Sequence, residues 1–491
     1  MLRAKSLLLG SVLLLTACYP QVPVEPIDEI RAGKDVTSQE LVWESCDLGF
    51  ECTTVVAPLN WVVETGEYLT LSLIRPAGSA ELAPILVNPG GPGASGVDFV
   101  RDNLDTIGTN FLRENFQLIG FDPRGVGESA PVTCVDSDLK DQVYYGQSPY
   151  EYGSDQDLKW TEDLVQRFAD SCQSVGFDVS HFNTQQSARD MDLIRELLGL
   201  EVLDYLGYSY GTELGATYAA LFPDRVGKFV LDGAADPTIS TGENLLNQVA
   251  GFDAAFKTYL VDCLQQAECP FDGDLDQALL KVADFLEMLE TKTLPTQFDR
   301  EVGVTAAIYG IIAALYSEES WPYLTQALSE AFDGDASTLL MLADFYNDRD
   351  PDGGYLSNIN EANIAIGCAD SRVRFEDAAD LTPKIEAASA VFGKYFASPE
   401  LSCVGWPEGQ GKVELDFRQK LGYPPLVVGT TGDPATPFVQ AQALSEILDG
   451  AKLLTFEGEG HTAYGSNPCV NEVVDQYLSG APIDSLKLLC P

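Results

Sequence analysis

Three side chains far apart in the sequence are suited to attack on a carbonyl. Ser209 sits between glycines in "GYSYG", residues 207–211. A serine hydroxyl is a weak nucleophile unless a base takes its proton, an acid orients that base, and N–H donors receive the oxyanion. The chain holds only two histidines, His181 and His461. Where a serine is held on a sharp strand-to-helix turn, the order along the chain is serine, acid, histidine. Only His461, in "FEGEGHTAYG", follows the serine, so it is the expected general base. Asp433, in "LVVGTTGDPATP", lies between them at the end of an apolar run and is the expected orienting acid. Taken singly, each has a plainer explanation: an Asp-Pro step often only opens a turn, and a lone histidine more often packs. Strand placement, order and spacing together favour chemistry.

Oxyanion donors should come from the residue after the nucleophile and from a loop after an early strand. Tyr210 is the first candidate. Gly91, in the glycine-rich "VNPGGPGASG" of residues 87–96, is the second. That stretch fails as a dinucleotide loop, because Pro92 interrupts it and no G-x-G-x-x-G follows. In "DPRGVGES", residues 122–129, Asp122 and Arg124 are expected to brace the loop. Asp348, Asp350, Asp352 and Gly353 resemble the start of a calcium loop, but Pro351 falls inside it and the twelfth position is Ile359. With no C-x-x-C pair and two histidines, no metal site is expected.

These residues need a frame. Short apolar runs at 53–59, 69–76, 84–88, 116–122, 202–208, 228–234, 425–432 and 452–458 predict strands. The middle ones are nearly all apolar, as parallel strands buried on both faces should be. Helical spacing at 187–199, 211–222, 437–448 and 471–479 alternates with them. The pattern predicts an α/β class protein with a mostly parallel central sheet and helices on both faces. Residues 236–400 break the rhythm with helical segments alone. Their place after the sixth strand suits a helical cap (a lid) over the carboxyl edge of the sheet, where ligands bind in such folds. The expected core is therefore split into 45–235 and 401–491.

Net charge is −46, from 75 acidic against 29 basic residues. That argues against a nucleic-acid partner and against charge-driven docking on an anionic membrane. The start, "MLRAKSLLLGSVLLLTAC", has a basic n-region and an apolar stretch too short to span a bilayer. It predicts a signal peptide over 1–17. "LTAC" resembles a lipobox, which implies a lipid anchor on Cys18. Residues 18–44, with several prolines, predict a tether. Export to the cell membrane, facing the envelope and partly released, is the expected location. Ten further cysteines suit disulfides in an exported chain. Spacing leaves connectivity open; pairing of neighbours gives Cys46–Cys52, Cys134–Cys172, Cys263–Cys269, Cys368–Cys403 and Cys469–Cys490 as one solution.

The stretches "NPGGPGASG", "GFDPRGVGES", "GYSYGTELGATYAALFPDRVGKFVLDGAADP", "AIGCAD", "GTTGDPATP" and "GEGHTAYG" together resemble the α/β-hydrolase family of prolyl and tripeptidyl aminopeptidases. Within it the chain is most similar to exported actinobacterial tripeptidyl aminopeptidases and the related carboxylesterase A enzymes. The resemblance covers Cys46 to Cys490. It implies the α/β-hydrolase fold, Ser209, Asp433 and His461 as a triad, Gly91 and Tyr210 as the oxyanion hole, Thr436 beside the substrate, and no cofactor. In the prolyl branch, acids of the cap bind the substrate's free amine, but the "G-G-E" motif that carries one of them does not occur here.

The expected activity is a serine hydrolase acting as a monomer, a peptidase releasing tripeptides from free N-termini. A carboxylesterase acting on small or cell-envelope esters has the same triad. A non-catalytic binding lipoprotein is the reading from another class, though it would typically lose a triad member. A peptide's α-ammonium group needs an anionic partner when it leaves water. Glu361 and Asp370, flanking "NIAIGC", are candidates, each more often a solvated charge when taken alone.

Overall fold

Apolar, β-branched runs bounded by turns form one ten-stranded sheet in the computed structural model, which describes residues 35–491. The expected signal peptide, Cys18 and the tether up to residue 34 lie outside the described residues. The strands are β1 (Glu44–Asp47), β2 (Phe50–Pro58), β3 (Tyr68–Pro76), β4 (Ala83–Asn88), β5 (Phe116–Phe121), β6 (Leu203–Tyr208) and β7 (Val226–Asp232). After a short pair, β8 (Leu294–Pro295) and β9 (Glu301–Val302), the sheet resumes with β10 (Leu426–Gly432), β11 (Lys452–Glu459) and β12 (Leu489–Cys490). Their order is β1-β2-β3-β5-β4-β6-β7-β10-β11-β12. The first four are linked by antiparallel pairings, and every pairing from β5 to β12 is parallel. Each residue of β5 is buried, because helices cover both faces.

One face receives the helices Gly96–Asn103, Asn110–Asn115 and Pro468–Leu478 through Val97, Val100, Leu112, Val470 and Tyr477. The other receives Thr184–Leu197, Tyr210–Leu221 and Phe438–Ile447 through Ile194, Leu214, Tyr218 and Leu444. Gly91, Ser209, Asp433 and His461 follow closely on the carboxyl ends of β4, β6, β10 and β11.

Between β7 and β10 lie seven α-helices among the described residues, from Thr241–Cys263 to Phe375–Ala388, with their own apolar centre around Phe256, Ile311, Leu324 and Leu339. Ser240 and Glu243 form a capping box that starts the first. Ion pairs tie this helical unit to the core: Arg349 meets Asp141 at 2.7 Å, and Lys140 meets Glu361 at 2.6 Å. The Cys368–Cys403 disulfide staples it again. The remaining bridges join Cys46–Cys52, Cys134–Cys172, Cys263–Cys269 and Cys469–Cys490.

The stretch before β1 differs from a tether. Gln39 donates through Nε2 to Val56 O and accepts from Val56 N, both at 2.8 Å, completing the backbone bonding of a core strand. Trp43 lies under the Arg75 guanidinium, 4.2 Å from ring centre to carbon. Residues 36–43 thus belong to the folded core.

Candidate active site

Strand β6 ends at Tyr208 and a helix begins at Tyr210, leaving one residue to turn the chain. Ser209 makes that turn with φ 56° and ψ −127°, a conformation costing on the order of 1–3 kcal/mol for a residue with a Cβ. Neighbours hold it there. Ser209 N donates to Asp232 O at 2.8 Å, and Thr212 N and Oγ1 both donate to Ser209 O. The flanking glycine Gly207 is required by space: a Cβ on it would stand 2.5 Å from Gly211 O.

Residue 90 shows how closely the glycine-rich loop approaches. A Cβ there would come within 2.5 Å of Tyr208 O, 2.8 Å of Ser209 Cβ and 3.2 Å of Tyr210 N. Gly90 also has φ +100°, a region side chains rarely adopt. Asn88 Oδ1, buried at the end of β4, accepts from Gly90 N at 3.0 Å and fixes the loop's start. The loop's exit is fixed by Asp122, which accepts from Ser95 Oγ, Val97 N and Glu128 N at 2.6, 3.1 and 2.8 Å. Burial pushes the Asp122 carboxyl up to about 6 against those bonds. Arg124 is fully buried in a two-bond pair with Asp190 and also donates to Leu59 O. Asp122 braces the glycine-rich loop, and Arg124 anchors its own loop to the end of β2 and to Asp190. Neither Gly91 N nor Tyr210 N has a protein acceptor among the described residues.

Asp433 and His461 meet across the ends of β10 and β11. His461 Nδ1 lies 2.9 Å from both carboxylate oxygens of Asp433. Asp433 is itself held by Ala435 N and Thr436 N at 2.9 Å and by Thr436 Oγ1 at 3.0 Å. Thr436 is buried, its hydroxyl committed to the acid, so it supports Asp433 where the resemblance placed it against substrate. His461 Nε2 is buried and has no hydrogen-bond partner among the described residues. Burial works against the imidazolium, but the Asp433 carboxylate outweighs it and holds His461 above its ordinary value.

Two supports of the histidine escape a reading of local sequence. Asp232, wholly buried at the end of β7, accepts from Ala463 N at 3.1 and 3.0 Å and from Tyr464 N at 2.8 Å. Burial lifts its carboxyl to about 6. One residue thereby ties the loop of His461 to the backbone of Ser209. An acid ending an apolar strand, as in "KFVLDG", was the available signal. Tyr316 comes from the helical unit: its carbonyl accepts from His461 N at 2.8 Å, and its ring stands edge-on to the imidazole, 5.4 Å between centres. Nothing local marks Tyr316.

The two acids flanking "NIAIGC" part company. Asp370 lines a cavity beside Tyr210 and accepts from Thr184 N and Oγ1 at 2.8 and 2.6 Å. Glu361 is fully buried against the Lys140 ammonium and does not line that cavity. An ion pair already neutralises it, so it is a structural residue and not a partner for substrate.

A model of the alpha/beta hydrolase fold matches residues 83–468. Serine protease Hip1 of Mycobacterium tuberculosis is 35% identical over 453 residues, spanning 88% of this chain and 85% of its own. Carboxylesterase B of the same organism is 35% identical over 503 residues, spanning 99% and 96%. Tripeptidyl aminopeptidase of Streptomyces lividans is 29% identical over 483 residues, spanning 94% and 87%. A sheet of this order, a serine on a left-handed turn at its edge, and relatives that are hydrolases along nearly their whole length lead to one conclusion: the chain belongs to the alpha/beta hydrolase fold family and is a hydrolase enzyme.

Proposed function

We propose that Ser209 is the nucleophile of a peptidase that releases short peptides, tripeptides foremost, from free N-termini. The observation that carries the covalent step is an Asp433-bound imidazole with a buried, uncommitted Nε2, on a loop that Asp232 ties to the backbone of a serine on a left-handed turn. In this reading His461 Nε2 takes the Ser209 proton as Oγ attacks the scissile carbonyl. Gly91 N–H and Tyr210 N–H receive the oxyanion. Asp433 keeps the Nδ1 proton in place and stabilises the imidazolium. The imidazolium then protonates the leaving amine, and a water attacks the acyl-enzyme by the reverse path.

Relatives named serine protease and tripeptidyl aminopeptidase support a peptide substrate. A tripeptide amide with a free N-terminus is then cleaved at least tenfold faster, in kcat/KM, than its N-acetylated twin. Equal rates would overturn the aminopeptidase reading. The relative named carboxylesterase B favours a second reading, an esterase with the same acyl-enzyme. Turnover of matched amides and esters separates the two.

The general base acts only when neutral. Because His461 is held above its ordinary value, kcat/KM is expected to fall as pH drops through an apparent value above about 6.5. A pH–rate profile with its acid limb below that value would contradict the Asp433–His461 pairing.

We also propose export, with a lipid anchor on Cys18. Five disulfides support an oxidising compartment, and no helix among the described residues is long and apolar enough to cross a membrane. Cys18→Ala is expected to move the protein from the membrane fraction to the soluble one. Thiol titration of the denatured, unreduced protein should find none of the ten paired cysteines free.

A further inference from the structure

A cavity of about 590 Å³ opens beside the site, and nothing in the acyl-transfer chemistry uses it. Pro92 from the glycine-rich loop and Tyr210 form part of its wall, so it adjoins both candidate oxyanion donors. Three carboxyl groups from three separate segments line it: Glu213 on the first turn after Ser209, Asp236 beyond β7, and Asp370 at the end of the helix Ile359–Asp370. Lys412 is the only basic residue in the lining, and its ammonium is spent on the carbonyls of Ala369 and Asp370.

The three acids are not equally occupied. Asp370 receives two bonds from Thr184, and Asp236 receives two from Thr238. Glu213 is half-buried, lines the cavity, and has no hydrogen-bond or ion-pair partner among the described residues. Burial, with Asp370 and Asp236 nearby, pushes its carboxyl up to about 8. A half-buried acid in that condition lacks a counter-charge, and a cation entering the cavity would supply it. No three His, Cys, Asp or Glu side chains among the described residues converge as metal ligands, which favours an organic cation.

Distance selects the ligand further. Glu213 stands four positions after Ser209 on the helix, a rise of about 6 Å. An extended peptide covers roughly 3.3 Å per residue. On that scale an acyl part of two or three residues, roughly 7–10 Å long, covers the rise, and one of about 3 Å does not.

We infer that this cavity receives the N-terminal segment of a peptide, with Glu213 as the anchor for its α-ammonium group two or three residues from the scissile bond, and Asp236 and Asp370 as flanking anions. The inference rests on the peptidase reading and deepens it. The pocket would measure length by charge, holding the amine at a fixed distance so that the third carbonyl meets Ser209.

Binding can be read apart from turnover. Ser209→Ala protein is titrated by calorimetry with trialanine amide and with N-acetyl-trialanine amide. The free amine is expected to bind at least tenfold tighter. Adding Glu213→Gln should remove that preference while leaving the affinity for the acetylated peptide within about twofold, and the matching size of glutamine should keep the unfolding midpoint in place. If Glu213→Gln does not fold, Asp236→Asn is titrated in its stead and should narrow the preference severalfold. Equal affinities for the two peptides, no binding of either, or a preference unchanged in these variants would overturn the inference. A wild-type enzyme that turns over esters and no amides would instead sink the peptidase reading, while the titration still reports on the cavity.

Discussion

Ser209→Ala is expected to lower kcat by a factor on the order of 10⁶ while leaving the fold intact. In the proposed mechanism the substitution removes the one atom that forms the acyl-enzyme. It removes little else, since the Ser209 side chain makes no hydrogen bond to the described residues, and the turn is held by backbone bonds to Asp232 and Thr212. Alanine meets the same φ of 56° as serine, so the backbone cost is common to both. Thermal unfolding midpoints of the two proteins should therefore agree within a few degrees. A variant that kept a tenth of its activity would place the chemistry elsewhere.

Asp433→Asn should cost about 10⁴ in kcat, again without unfolding the protein. The carboxylate accepts from Ala435 N, Thr436 N and Thr436 Oγ1, and it faces His461 Nδ1. An asparagine keeps one acceptor oxygen. If that oxygen stays on the two backbone N–H groups, the amide NH₂ turns toward Nδ1 and selects the tautomer that carries its proton on Nε2. The base is then blocked where it must accept. Loss of the anion also removes what holds His461 above its ordinary value, so the acid limb of the remaining activity should move to lower pH. A limb that stayed in place would mean that another group, such as the buried Asp232 carboxyl that also favours the imidazolium, sets the histidine's protonation.

The strands that matter to the site were legible because each holds a short apolar run that stops at a glycine-containing turn. β6 runs into the glycines around Ser209, β10 ends at Gly432 before Asp433, and β11, though largely half-buried, carries its apolar residues just before the glycines that precede His461. The outer strands β1 and β12 were not, because four and two residues carry too little periodicity to stand out. Residues 36–43 read as a tether for a similar reason: they fold by lending one side chain, Gln39, to a strand 17 positions away. Helices within the cap were visible in their spacing, yet their contacts with the site were not. Glu361 and Asp370 sit on one helix nine positions apart, and only the packing decides that one meets Lys140 and the other opens on a cavity. Tyr316 touches His461 from 145 positions away, a contact made by the packing of its helical unit against the loop after β11. Glu213, inside the quoted "GYSYGTELG", was in plain view; its lack of a partner exists only in three dimensions.

The central claim is that Ser209 is a nucleophile served by His461. The most direct measurement treats the intact protein with a fluorophosphonate and locates the adduct by tandem mass spectrometry of its peptides. The account predicts one phosphonylated residue, Ser209, with labelling lost in Ser209→Ala and slowed by orders of magnitude in His461→Ala. An adduct on another residue, or undiminished labelling of Ser209→Ala, would contradict it.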